Sequence, residues 1–168
     1  MIALSSSQTE TIADYRTKFS RPLGRILHTV SAQDLSLGVR VAIGLGDAKC
    51  FGVFDGDELV AVMQTYAPVE EVPYRHIRKI IVAASYRGNG IARQLIEWWV
   101  LSHQQCLASD EDQTYEGAGV WKSMIGNEPR LSFSLMWLDG REEPVKVEDG
   151  RITPDPWAEH HTRLLARP

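Results

Sequence analysis

The residues of this chain best suited to chemistry are Arg87, Gly88, Asn89, Gly90, Ile91 and Ala92, within "IIVAASYRGNGIARQLIEWWV", where a glycine turn separates two apolar runs. Without a Cβ, Gly88 and Gly90 let a ligand approach the backbone and adopt φ angles closed to most residues. If the second run is a helix, its first-turn N–H groups have no acceptor inside it and lie at the positive end of its dipole. Together these features describe a seat for a phosphate or diphosphate. A P-loop would need GxxxxGK[ST], and neither that spacing nor the Lys-Ser/Thr pair occurs here. A dinucleotide fold would need GxGxxG, and Arg93 stands at the third glycine, although Asp110 falls about 20 residues on, where a ribose-binding acid would be. A turn that only joins strand to helix is the remaining reading of the residues alone.

The same residues resemble the acyl-CoA signature of the GNAT superfamily of N-acetyltransferases, R/Q-x-x-G-x-G/A, with Arg87, Gly90 and Ala92 at its defining positions. The preceding strand is similar to that family's "V-x-P-x-Y-R-G", reading "V-A-A-S-Y-R-G" from Val82 to Gly88 with Ala84 in place of the proline. The hairpin "FGVFDGDELVAVMQ" looks like the family's second and third strands, so the resemblance runs from about residue 50 to residue 138. It implies acetyl-CoA as co-substrate. Backbone amides from Gly88 through Asn89, Gly90 and Ile91 to Ala92 would hold its pyrophosphate, Arg87 would flank it, and backbone groups of Ile81 and Val82 would bind the pantetheine arm.

Acetyl transfer to an amine needs the amine neutral when it attacks, so a base takes its proton. At the position where many family members carry a glutamate, this chain has His76, whose unperturbed pKa of about 6.5 suits base work at neutral pH. A strand histidine facing solvent or a neighbour is the competing reading. Glu70 and Glu71 are reserve bases in the loop before the strand. The family's acid is commonly the tyrosine of N-x-x-A-x-x-x-Y, and that pattern lays Thr114, Gly117 and Trp121 onto its three positions. Tryptophan does not donate a proton usefully, so Tyr115 is the substitute acid. The departure raises an alternative: a CoA-binding protein with weak or lost catalysis that acts by docking on a partner. "SDEDQTYEGAGVW" looks like acetyltransferase-like proteins of tailed phages, for which a host protein would be a target.

Positioning such a site requires a strand, a turn and a helix in that order, and the pattern supplies them. "YRHIRKIIVAA" reads as a strand, and Ala92, Leu95, Ile96, Trp99 and Val100 form the stripe of a helix packed on a sheet. Asp55-Gly56-Asp57 between apolar runs marks a hairpin. "TETIADYRTKF" and "SAQDLSLGVRVAIGL" read as helices, because Thr11 and Ser31 each precede an acid by three residues. Further on, "QQCLAS" reads as a strand, "TYEGAGVWKSMI" as a helix and "RLSFSLMWL" as a strand. The tail offers a hairpin at Asp149-Gly150 and a terminal helix after Pro154 and Pro156. The expected architecture is one α/β domain, a GNAT-like mixed, largely antiparallel sheet with flanking helices. N-terminal helices would occupy 1–48, the acyl-CoA-binding core 50–138 and a C-terminal extension 139–168.

Length and composition agree. A chain of 168 residues suits one domain burying about 70% of its unfolded surface. With 43% hydrophobic and 24% charged residues it is ordinary globular material. A net charge of −4 gives no electrostatic reason to expect nucleic acid as a partner. No segment approaches the roughly 18 apolar residues of a spanning helix and "MIALSSSQTE" lacks a basic leader, so neither a membrane nor export is expected and the address is cytoplasmic. Cys50 and Cys106 have no metal-ligand spacing and read as buried thiols, and His160-His161 lacks a third ligand, so no metal is expected. Arg75, Arg78 and Lys79 read as solvated charges, and Trp98, Trp99, Trp121 and Trp137 as core or interface aromatics.

Overall fold

A computed structural model describes residues 3–5, 11–18, 28–32, 35–45, 48–66, 74–110, 112–158 and 162–168. In chain order the elements are β1 (Ala3–Ser5), α1 (Ile12–Lys18), β2 (His28–Ala32), β3 (Leu35–Leu45), β4 (Ala48–Asp55), β5 (Glu58–Tyr66) and β6 (Tyr74–Val82). A 3₁₀ turn (Ala84–Tyr86) then leads to α2 (Ile91–His103), β7 (Cys106–Ala108), β8 (Asp112–Thr114) and α3 (Tyr115–Asn127). The chain ends with β9 (Ser132–Trp137), β10 (Glu142–Pro144), β11 (Lys146–Glu148), β12 (Arg151–Thr153) and β13 (Thr162–Arg167). The result is a mixed, largely antiparallel sheet with flanking helices, as the pattern predicts. Glu70, Glu71, His160 and His161 lie outside the described residues.

Contacts group the chain into two compact units, and β6 and α2 each run from one into the other. In the first, Thr9–Ala67 with Ile77–Trp98, the strand order is β6-β5-β4-β3-β2, and β2 through β5 pair antiparallel. Gly56 takes φ 57° as the first residue of the two-residue turn Gly56-Asp57 that closes β4 onto β5, a position that favours glycine. The start of α1 is a box: the Asp14 carboxylate accepts from the Thr11 N–H at 2.7 Å and from its hydroxyl at 3.0 Å, so the sequence signal there holds. Tyr15, Cys50, Phe54, Leu59, Val62 and Ile81 form a core cluster with Ile12 against it. Trp98 packs edge-on to Phe51 and stacks on His28.

In the second unit, Met1–Gln8, Pro68–His76 and Trp99–Pro168, the order is β10-β9-β13-β7-β6. Only β7 with β6 is parallel among these ladders. The helix α3 starts at an N-cap, Thr114, whose Oγ1 accepts from the Gly117 N–H at 3.0 Å. Trp121 and Met124 bury its inner face, Trp121 meeting Phe133 edge-on.

Two sequence expectations fail. The segment 31–45, expected to be helical, supplies the end of β2 and the whole of β3. Its apolar residues Leu35, Leu37, Val39, Val41, Ile43 and Leu45 fall on alternate positions, the strand period, and Gly38 and Gly44 disfavour a helix. The capping spacing at Ser31 was coincidental, whereas the same spacing at Thr11 was real. The expected terminal helix is instead β13, which pairs with β7 on one side and β9 on the other. Two strand edges needing partners outweighed the local helical preference of "RLLAR".

Candidate functional site

The glycine turn begins where β6 ends. The Ala83 N–H donates to the Val60 carbonyl at 2.8 Å, so Ala83 still faces β5. Strand alternation turns the backbone of Val82 to the other edge. There the Val82 carbonyl accepts from Arg87 Nε at 3.1 Å. The β7 ladder on β6 covers only Tyr74, Arg75 and His76. Ile81 is buried in the core, with Val82 half-buried.

Past the 3₁₀ turn, Gly88 and Gly90 adopt φ 78° and 72°, the left-handed conformation. A Cβ on Gly88 would meet nothing within 4 Å, and one on Gly90 only the Gln94 amide nitrogen at 3.8 Å. The turn is therefore open on the side where a side chain would project, and the glycines are there for conformation and access, not for packing. Between them the Asn89 amide donates to the Tyr86 carbonyl at 3.2 Å and holds the turn shut. The Tyr86 hydroxyl donates to Asp55 Oδ2 at 2.7 Å, tying the turn to the β4–β5 hairpin. That hydrogen bond, with burial and the Asp55 charge, pushes the Tyr86 phenol above its ordinary pKa.

The first intrahelical bond of α2 runs from the Gln94 N–H to the Gly90 carbonyl at 3.0 Å, so Gly90 is the N-cap. Ile91, Ala92 and Arg93 then present first-turn N–H groups that have no acceptor within the helix. The first turn of α2 contains no acidic side chain, so its positive end is not neutralised from within. Gln94 fixes the helix laterally, its Nε2 donating to the Ser31 carbonyl at 2.7 Å and its Oε1 accepting from the Ser31 N–H at 2.8 Å. Sequence reasoning missed this clamp because Ser31 was placed in a helix. Exposed Arg87, the left-handed glycines and the α2 amides make a contiguous cradle whose chemistry fits a diphosphate.

His76 faces its neighbours, one of the arrangements its place on the strand offered. It is 1% exposed and lies edge-on to Tyr74, ring centroids 5.0 Å apart. Its Nε2 is 2.9 Å from Nη1 of Arg163 on β13. A guanidinium only donates, so Nε2 is the acceptor and the ring proton sits on Nδ1. The solvent-facing reading of His76 is thereby excluded. Arg163 was missed, because no motif links two residues 87 positions apart that meet only through the β6–β7–β13 order. Tyr115 opens α3 and is 70% exposed. Trp121, at the position where a tyrosine acid would be expected, is buried at 4% exposure.

Other sequence expectations sort by burial. Neither cysteine is in a disulfide and both are buried, and desolvation pushes the Cys106 thiol up to about 11. Trp98, Trp99 and Trp121 are core residues, while Trp137 is half-buried beneath the Arg141 guanidinium at 4.4 Å from its ring centroid. Among the described residues, no three His, Cys, Asp or Glu side chains gather as metal ligands, and no helix is long and apolar enough to cross a membrane.

The strand-turn-helix unit from β6 to α2 sets two left-handed glycines ahead of first-turn amides, an arrangement suited to an anion. The profile of the acetyltransferase (GNAT) family matches residues 14–103, more than half of the sequence, and the chain belongs to that family. No curated protein matches. Among solved structures, the ribosomal-protein-S18-alanine N-acetyltransferase of Escherichia coli is 14% identical with a TM-score of 0.44, covering 98% of this chain and 91% of its own. An IAA acetyltransferase from Bacillus cereus is 14% identical with a TM-score of 0.42, covering 72% of this chain and 77% of its own. A GNAT family acetyltransferase from Elizabethkingia anophelis with acetyl-CoA bound is 15% identical with a TM-score of 0.42, covering 71% and 74%.

Proposed function

We propose that this protein transfers the acetyl group of acetyl-CoA to an amine. The observation that carries the reading is the cradle: two left-handed glycines ahead of first-turn amides, in a chain of the acetyltransferase (GNAT) family. The N–H groups of Gly88 through Ala92 bind the diphosphate, and exposed Arg87 supplies a positive charge beside it. Of the two strand residues, Val82 turns its backbone away from β5, so it contacts the pantetheine arm more directly than Ile81 does. His76 Nε2 takes the amine proton once its bond to Arg163 is exchanged, and the Tyr115 hydroxyl protonates the departing thiolate. A thiolate with a pKa near ~8.5 needs little such help, so Tyr115 is the lesser of the two groups.

A second reading is favoured by one observation. Trp121 fills the core where a family acid would sit, which suits a CoA-binding protein that acts by docking on a partner, a host protein if the phage-like segment carries meaning. Release of free thiol from acetyl-CoA with a panel of amines separates the two. Amine-dependent release supports the enzyme. Tight CoA binding with no release for any amine supports the docking protein.

A further inference from the structure

Gln94 stands one turn into α2, past the cap residue Gly90, and is half-buried. The Cα–Cβ bonds of a helix tilt toward its N-terminus, so a long side chain there reaches back to the level of the cap. Its Nε2 lies 3.8 Å from where a Cβ on Gly90 would be, and among the described residues no other heavy atom beyond the glycine's chain neighbours comes within 4 Å of that point. A side-chain amide therefore borders the open face of the turn. Its sense is fixed from the other side, where Oε1 accepts from the Ser31 N–H at 2.8 Å and Nε2 donates to the Ser31 carbonyl at 2.7 Å. Turning the amide over would set carbonyl against carbonyl and N–H against N–H, losing both bonds. Ser31 thus keeps the nitrogen, and not the oxygen, beside Gly90.

One Nε2 hydrogen goes to Ser31. An amide nitrogen carries two, and in the planar group the second points away from the first. We propose that this second hydrogen donates to the diphosphate of CoA, which makes Gln94 a binding residue of the cradle beside its backbone amides. The proposal rests on the acetyl-CoA reading above. An N–H given to an anion forms a charge-assisted bond, stronger than one between neutral groups. Glutamate at this position would still accept from the Ser31 N–H, but it would carry no hydrogen for the anion and would add a like charge. Ser31 takes part through its backbone alone. It acts as a positioning residue, because its N–H and carbonyl decide which end of the amide faces the turn.

The test follows the Gln94 side-chain amide by nuclear magnetic resonance while CoA is titrated into the full chain. CoA should shift the Gln94 proton that is not bonded to Ser31 more than the one that is, together with the backbone amides of Gly88 to Ala92. Inorganic pyrophosphate should move the same signals, and pantetheine, which lacks the diphosphate, should leave the Gln94 pair in place. Calorimetry on variants gives a second reading. Gln94→Met, close in shape and without a donor, should bind CoA about 10-fold more weakly. Ser31→Pro, on the outer strand β2, removes only the N–H that Oε1 accepts, and should stay within about 3-fold of the wild type. Equal losses in the two variants would make Gln94 a brace alone and overturn the proposal. So would CoA shifting the backbone amides while both Gln94 protons stay still. CoA that moves neither set would remove the cradle reading as well, so the two failures are distinguishable. The wild-type spectra decide the matter even where a variant fails to fold.

Discussion

The glycine turn takes its groups from consecutive residues, Arg87 to Ala92, and its shape follows from two left-handed glycines and the start of one helix. The His76 cluster takes Tyr74 and His76 from β6 and Arg163 from β13, and exists only because β7 lies between those strands. The first site takes its groups from one stretch of chain, braced from outside by Gln94 on Ser31 and Tyr86 on Asp55. The second depends on non-local pairing, which forms late and at greater entropic cost. Substitutions should therefore separate coenzyme binding from chemistry. Those in the turn should change affinity for the coenzyme, and those around His76 should change turnover.

The largest such separation is expected from His76→Ala, which should lower kcat by about 10²- to 10⁴-fold while leaving CoA affinity as it is. Steady-state kinetics beside calorimetry measures both, and an unchanged kcat would remove His76 from the mechanism. Gln94→Ala is expected to act more mildly. Loss of its two bonds to Ser31 should reduce stability by about 1–2 kcal/mol, read as a lower denaturant midpoint at constant slope. It should also weaken CoA binding by loosening the start of α2. A variant as stable as wild type would make the clamp incidental.

The smallest effect concerns the rim of the sheet in the second unit, where Arg167 Nη2 donates to Glu142 Oε2 at 2.8 Å. That hydrogen bond, foremost among several causes, holds the Glu142 carboxyl below the usual glutamate range. A depressed folded pKa stabilises above the unfolded value of about 4.3 and loses that contribution as pH falls through the folded value. With the Glu142 side chain 39% exposed, solvent screening keeps the contribution under about 1 kcal/mol. Thermal melts of wild type and Glu142→Gln should differ slightly at pH 6 and coincide at strongly acidic pH. A gap that widens on acidification would contradict the assignment.

The same division explains what the sequence disclosed. The hairpin at Gly56, the strand from Tyr74 to Val82, the turn and the α2 stripe were all legible, because each is written in neighbouring residues through turn chemistry or periodicity. The α1 cap was legible for the same reason, in Thr11 and Asp14. What failed was partly a conflict between local signals and partly non-local. The strand β3 carried its alternation openly, but a capping spacing at Ser31 and a run of apolar residues competed with it. Six residues as short as Thr162–Arg167 carry too little periodicity to distinguish strand from helix, and only the edges of β7 and β9 decide. Arg163 was hidden with them. His76 could be selected by position, but its burial and its bond to Arg163 belong to the fold.

The central claim is that the turn from Arg87 to Ala92 seats the diphosphate of CoA. Calorimetric titration of CoA into the wild type and Gly90→Asp tests it most directly, since aspartate adds a Cβ at φ 72° and a negative charge beside the anion. The account predicts saturable binding by the wild type and a loss of more than about 100-fold in the variant, with the fold intact by circular dichroism. Equal affinity in a folded variant would contradict it.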